Sequence, residues 1–281
     1  AGVLCLLTVM TAASLPALAD DNIIFGGSAA LVEPNILIIF DTSGSMISRA
    51  HGRETRLDVA KQTIKGIIDD HGADNRFGIM VFHENSDYNR DGVDETNGGY
   101  FSAFEGLYPV CSVKEVFIRD NQGKLKTGEE HQTALAAYKD YLKRFVDSLE
   151  PGGYTPLAET MAEAGLYFAG KASWFNSDDA HYPRGGVYPD SVVRAYSPVT
   201  DHPPMEYRCR KNYIILMTDG APTHDEHQRL CEEYIDGQTI AGGGMPRLDQ
   251  VAGFLYDNDI NDYFDSDDFT QNIITYAIGF Q

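Results

Sequence analysis

A chain of 281 residues with 43% hydrophobic side chains can bury a full core, as one large domain with insertions or as two small ones. Its formal net charge of −20 excludes a nucleic acid or an anionic membrane as the main partner, because a polyanion would repel it. The same balance fits a protein in a compartment that contains divalent cations.

Gly2 to Met10 is short, apolar and uncharged, and Ala17-Leu18-Ala19 before Asp20 has the form of an Ala-x-Ala cleavage site. Residues 1–19 therefore read as a secretory signal peptide whose basic start is missing. The run is too short for a membrane anchor and Pro16 interrupts it, so no membrane span is expected in the mature chain. Cys5 lacks the small residues that precede a lipoprotein cysteine. Residues 20–33 form a linker, and residues 34–281 a single domain with insertions near 84–130 and 170–210. Export leaves Cys111, Cys209 and Cys231, an odd number that allows at most one internal disulfide and leaves all three pairings open. No Cys-x-x-Cys pair occurs, so these cysteines do not suggest a mononuclear zinc site.

Asn35-Ile36-Leu37-Ile38-Ile39-Phe40 is an unbroken apolar run, as in a strand buried on both faces of a parallel sheet. From Arg53 to His71, Leu57, Ala60, Ile64, Ile67 and Ile68 recur at helical spacing, with Gly72 as the stop. Arg76 to His83 predicts a second strand, Asn85 to Gly99 a loop, and Tyr100 to Phe104 a short edge strand. His131 to Leu149 predicts an amphipathic helix through Leu135, Tyr138, Leu142, Phe145 and Val146. After Pro151-Gly152-Gly153, Thr155 as cap and Pro156 as first helical residue predict a helix running to about Ala169.

Gly170 to Arg210 has little periodicity, and so long an irregular segment is usually functional or mobile. Tyr213 to Thr218 predicts a buried strand, Arg247 to Tyr256 a helix, and Asn272 to Phe280 a last strand. Asp257 to Asp268 reads as a solvated acidic loop. Alternating elements of these lengths predict a doubly wound, mostly parallel α/β sheet with helices on both faces and long irregular insertions. The chain ends on a strand with no closing helix, as expected of a segment of a longer protein.

Asp41, Ser43 and Ser45 alternate just past the first strand, where ligands of open α/β sheets sit. The same letters could cap the next helix. Thr155 begins a helix after a glycine pair, and Asp219 ends a third strand in Thr218-Asp219-Gly220. Brought together, two carboxylates would balance a divalent ion, and three hydroxyls would add oxygens without further charge. Such a site suits Mg²⁺, or Mn²⁺ or Ca²⁺, and keeps the ion electrophilic toward an outside carboxylate.

Asp41-Thr42-Ser43-Gly44-Ser45, Gly153-Tyr154-Thr155-Pro156 and Thr218-Asp219-Gly220 resemble the metal-ion-dependent adhesion site of von Willebrand factor A domains. The resemblance covers roughly Pro34 to Gln281 and implies a Rossmann-like sheet flanked by helices. It also implies Mg²⁺ or a similar ion at these five positions, completed by an acidic side chain of a protein ligand or of a host or matrix receptor. Val32-Glu33-Pro34-Asn35-Ile36-Leu37, the run from Cys209 to Thr223, Val251-Ala252 with Leu255-Tyr256-Asp257-Asn258-Asp259, and Ile274 to Phe280 resemble PilY-type proteins of type IV pilus tips. So does the irregular Tyr/Pro-rich insertion. That likeness implies an adhesin and pilus-assembly factor, with possible surface sensing. It further implies minor pilins as partners, passage through the periplasm to the bacterial surface, and a carboxy-terminal β-propeller absent from these residues.

Asp87, Asn89, Asp91, Val93 and Glu95, with Gly92 at the turn, match the opening of a calcium loop and suggest Ca²⁺ there. The twelfth position is Gly98 rather than Glu, so the EF-hand pattern fails at its bidentate ligand, which Glu95 could replace. A Mg²⁺-dependent phosphatase-like hydrolase is the enzymatic alternative, because Phe40-Asp41-Thr42-Ser43 resembles the start of haloacid dehalogenase-type phosphatases. Those carry a second Asp as general acid where this chain has Ser43, which leaves proton transfer without an agent. Ser43 and Ser45 lack the Gly-x-Ser-x-Gly frame of a serine hydrolase, and His51, His83, His131 and His224 show no ligand or triad spacing. No enzymatic activity is therefore expected. A domain whose metal serves stability alone is the third alternative.

Overall fold

A computed structural model describes residues 32–82, 99–100, 113–169, 205, 209–223, 247–260 and 270–280. β1 (Asn35–Phe40) is the central strand, and its residues Leu37, Ile38, Ile39 and Phe40 are all fully buried. Successive side chains point to opposite faces of a sheet, so burial of all four means that both faces are covered. β4 (Arg76–Phe82) is buried along its whole length as well. Between them lie a 3-10 turn (Gly44–Ile47), the small hairpin of β2 (Arg49–His51) and β3 (Glu54–Thr55), and α1 (Arg56–His71).

β5 (Gly99–Tyr100) is followed by α2 (Val113–Ile118), α3 (Gly128–Ser148), α4 (Leu157–Phe168), β6 (Asn212–Thr218), α5 (Leu248–Asp257) and β7 (Ile273–Gly279). The sheet order is β5-β4-β1-β6-β7. β1 runs parallel to both neighbours, with Ile38 beside Ile79 on one side and Ile215 on the other. β7 runs parallel to β6, and β5 is antiparallel to β4. This is a doubly wound α/β fold. The chain leaves β1 through α1 toward β4, then returns to β6 on the other side. β1 and β6 thus flank the switch point of the sheet, the place where this architecture opens a crevice at the carboxyl ends of its strands.

α1 packs on α3, and α4 packs on α5. Every residue of α4 is buried, Glu159 and Glu163 included. On β7, by contrast, Tyr276 and Ile278 are exposed. Glu33–Gln281 forms one compact unit. No helix among the described residues is long and apolar enough to cross a membrane.

Several boundaries differ from expectation. The edge strand already includes Gly99, one residue before its expected start, and residues 101–104 of the expected strand lie outside the described residues. The insertion near 84–130 contains α2 and the first turn of α3. α5 extends through Asp257, so the acidic loop starts one residue later. α4 begins at Leu157 with Pro156 at its cap, not with Thr155 as cap. The reason is that Thr155 is engaged elsewhere, in an isolated antiparallel bridge with Thr223.

Candidate metal centre

β1 delivers Asp41 directly to the crevice, because Asp41 N still donates to Met217 O on β6 at 2.9 Å. The Asp41 carboxylate is fully buried. Its Oδ1 accepts from Ser43 N at 2.7 Å, and its Oδ2 accepts from the Thr218 hydroxyl at 2.6 Å and from Asp219 N at 3.3 Å. All three donors are neutral, and no described residue forms an ion pair with Asp41. A buried carboxylate without a counter-charge is costly, which makes this position fit a cation.

Ser43 occupies the cap position of the 3-10 turn, yet its side chain makes no capping hydrogen bond. Its Oγ lies 2.9 Å from Ser45 Oγ. Ser45 in turn donates to Asp219 Oδ1 at 2.6 Å, so its hydrogen is committed and Ser43 is the donor between the two serines. The hydroxyls are thus drawn toward the carboxylate of Asp219, just past the end of β6, rather than toward the turn that follows them.

Thr155 comes to the same edge through its backbone. Gly152 N donates to Thr42 O at 2.7 Å, and Gly44 N donates to Gly153 O at 3.1 Å, which fastens the glycine loop to the serine turn. Gly153 holds φ at +75°, a left-handed conformation that side chains with a Cβ rarely adopt. Beyond it, Thr155 N donates to Thr223 Oγ1 at 2.9 Å and Thr223 N donates to Thr155 O at 3.1 Å, which fastens Thr155 to the segment after Asp219. Three loops far apart in sequence are therefore laced to one another around the strand ends. Asp41, Ser43, Ser45, Thr155 and Asp219 all lie on them.

Sequence reasoning missed Arg56. Its Nη1 lies 2.6 Å from Asp219 Oδ2, with the Asp219 side chain wholly buried. No local signal could have found this pair, since its members stand 163 residues apart.

The candidate calcium loop, Asp87, Asn89, Asp91, Val93 and Glu95, lies outside the described residues, as do Cys111 and Cys231. Cys209 is exposed and its thiol is free. Among the described residues there is no cluster of three or more His, Cys, Asp or Glu placed to hold a metal ion. The group at the switch point is of another kind, the carboxylates of Asp41 and Asp219 with the hydroxyls of Ser43 and Ser45, whose hard oxygens match Mg²⁺ or Mn²⁺ rather than a soft metal; Thr155 adjoins it through its backbone. No family model and no curated protein matches the chain.

Proposed function

We propose that this chain is a metal-dependent protein-binding module of the von Willebrand factor A kind. It belongs, on this reading, to the amino-terminal part of an exported, PilY-type protein at the tip of a type IV pilus. Its work there is surface attachment, pilus assembly and surface sensing, with minor pilins and an acidic receptor group as partners. The observation that carries the reading is the lacing of the three loops, in which the Asp41 and Asp219 carboxylates and the Ser43 and Ser45 hydroxyls are joined by hydrogen bonds at the switch point of the sheet and Thr155 is tied to the same edge through its backbone. Asp41 and Asp219 would supply the charge for a divalent ion, and Ser43, Ser45 and Thr155 its neutral oxygens. When bound there, such an ion would supply Lewis acidity toward a carboxylate oxygen of the partner. With only two carboxylates in the set, the chain leaves that acidity largely unquenched.

The test uses calorimetry on the full chain with Mg²⁺ and Mn²⁺, followed by titration of the loaded protein with a short acidic peptide. One ion should bind, and the peptide should bind only while the ion is present. Asp41→Ala should abolish both, with the fold checked by circular dichroism. An ion that binds but recruits no peptide would mark a metal kept for stability alone. Undiminished metal affinity in the Asp41→Ala variant would show that the site lies elsewhere.

A further inference from the structure

A cation belonging to the chain itself already stands at this edge. Arg56 is the first residue of α1, and its N donates to Ser48 O at 2.8 Å just after the serine turn. Thr55 caps the helix, so the start of α1 is held beside the site. Arg56 Nη1 takes one oxygen of Asp219 and Ser45 takes the other. Both oxygens of the second carboxylate are therefore engaged, one of them by a full positive charge. Arg56 Nε is buried and donates to nothing. An arginine that serves as a simple clamp grips a carboxylate through a two-pronged fork. Here a single prong is used, which is the weaker and more easily released arrangement.

A guanidinium does not lose its proton under physiological conditions, so an arriving ion cannot neutralise it. The ion must either displace it from Asp219 or accept it as a like-charged neighbour. Repulsion between a single and a double charge a few ångströms apart outweighs the modest benefit of holding one carboxylate in place. Resting on the metal reading above, we propose that Arg56 is a resident competitor for Asp219. It weakens divalent binding and leaves the loaded site with surplus positive charge, which selects an anionic outer ligand over a neutral one.

The experiment compares the full chain with Arg56→Gln, Arg56→Lys and Arg56→Met by calorimetry with Mn²⁺. Arg56→Met keeps the alkyl stem and serves as a second neutral variant should the glutamine variant fold poorly. Loss of the charge should tighten Mn²⁺ binding by about tenfold or more, while Arg56→Lys stays within about threefold of the parent. The Mn²⁺-loaded neutral variants should hold an acidic peptide more weakly than the loaded parent does. A strut for Asp219 would behave oppositely, since its removal would loosen the ion. If the parent binds Mn²⁺ and the neutral variants bind it no more tightly, this inference falls and the metal reading stands. If neither parent nor variants bind Mn²⁺, both fall.

Discussion

Thr155 reaches the crevice on the strength of two hydrogen bonds to Thr223, one to its hydroxyl and one from its backbone N–H. That makes Thr223 a positioning residue for the candidate ligand Thr155. In Thr223→Ala, the N–H of Thr155, itself 5% exposed, would lose its acceptor, at a cost of about 1 kcal/mol in stability. Mn²⁺ affinity should fall several-fold through misplacement of the Thr155 hydroxyl, and Thr223→Ser should restore both. Denaturant unfolding and calorimetry read the two effects separately. Unchanged Mn²⁺ affinity in the alanine variant would mean that Thr155 is held by the glycine loop alone. Asp41 is the contrasting case. It serves Ser43, Thr218 and Asp219 at once, so its removal must cost stability as well as binding.

The element that turns the chain away from the site is α1, and its start is fixed by a reciprocal cap. Asp58 N donates to Thr55 Oγ1 at 3.0 Å, while Thr55 N donates back to Asp58 Oδ2 at 2.9 Å. The Thr55 backbone N–H, and then its hydroxyl, hold the Asp58 carboxyl below its ordinary value. A carboxyl depressed in the folded state stabilises it above the unfolded pKa of about 4, and that help is lost as pH falls through the lower folded value. Asp58→Ala should therefore lower stability by about 0.5–1 kcal/mol at pH 7, the group being largely exposed. The gap between parent and variant should close as the pH falls through that lowered folded value. A gap independent of pH would assign the effect to helix propensity instead.

Elements of this kind were legible because periodicity and caps are local. β1 and β4 announce themselves as apolar runs, and α1 and α3 as amphipathic repeats, because each must bury its own side chains. The hairpin of β2 and β3 was not legible, since Arg49, Ala50 and His51 are all exposed and carry no alternation. Thr155-Pro156 has the letters of a helix start, and a tertiary bridge to Thr223 overrode them. At the site, the five ligand candidates could be read because each sits at the end of an element. Arg56 could not, since only the fold brings it to Asp219.

At the scale of the whole molecule, the candidate site exists only when β1, the glycine loop before α4 and the end of β6 are assembled together. An ion held there binds the folded state and has nothing comparable to bind in the unfolded chain. At a concentration a hundredfold above its dissociation constant it should add about 2.7 kcal/mol to stability. For a chain of this size that corresponds to a rise in Tm of roughly 5 °C. A net charge of −20 complicates the measurement, because divalent ions also gather diffusely around an acidic surface and relieve its self-repulsion. The two contributions separate by salt and by site. Diffuse relief is screened within about 8 Å at physiological ionic strength, whereas an ion held by buried oxygens is screened far less. Melting of the parent with Mg²⁺ against chelator, at matched ionic strength, should keep the rise. Asp41→Ala under the same conditions should lose most of it, because the diffuse atmosphere does not depend on a single buried carboxylate. An equal rise in both proteins would assign the whole effect to the acidic surface and leave the laced loops without an ion to explain them.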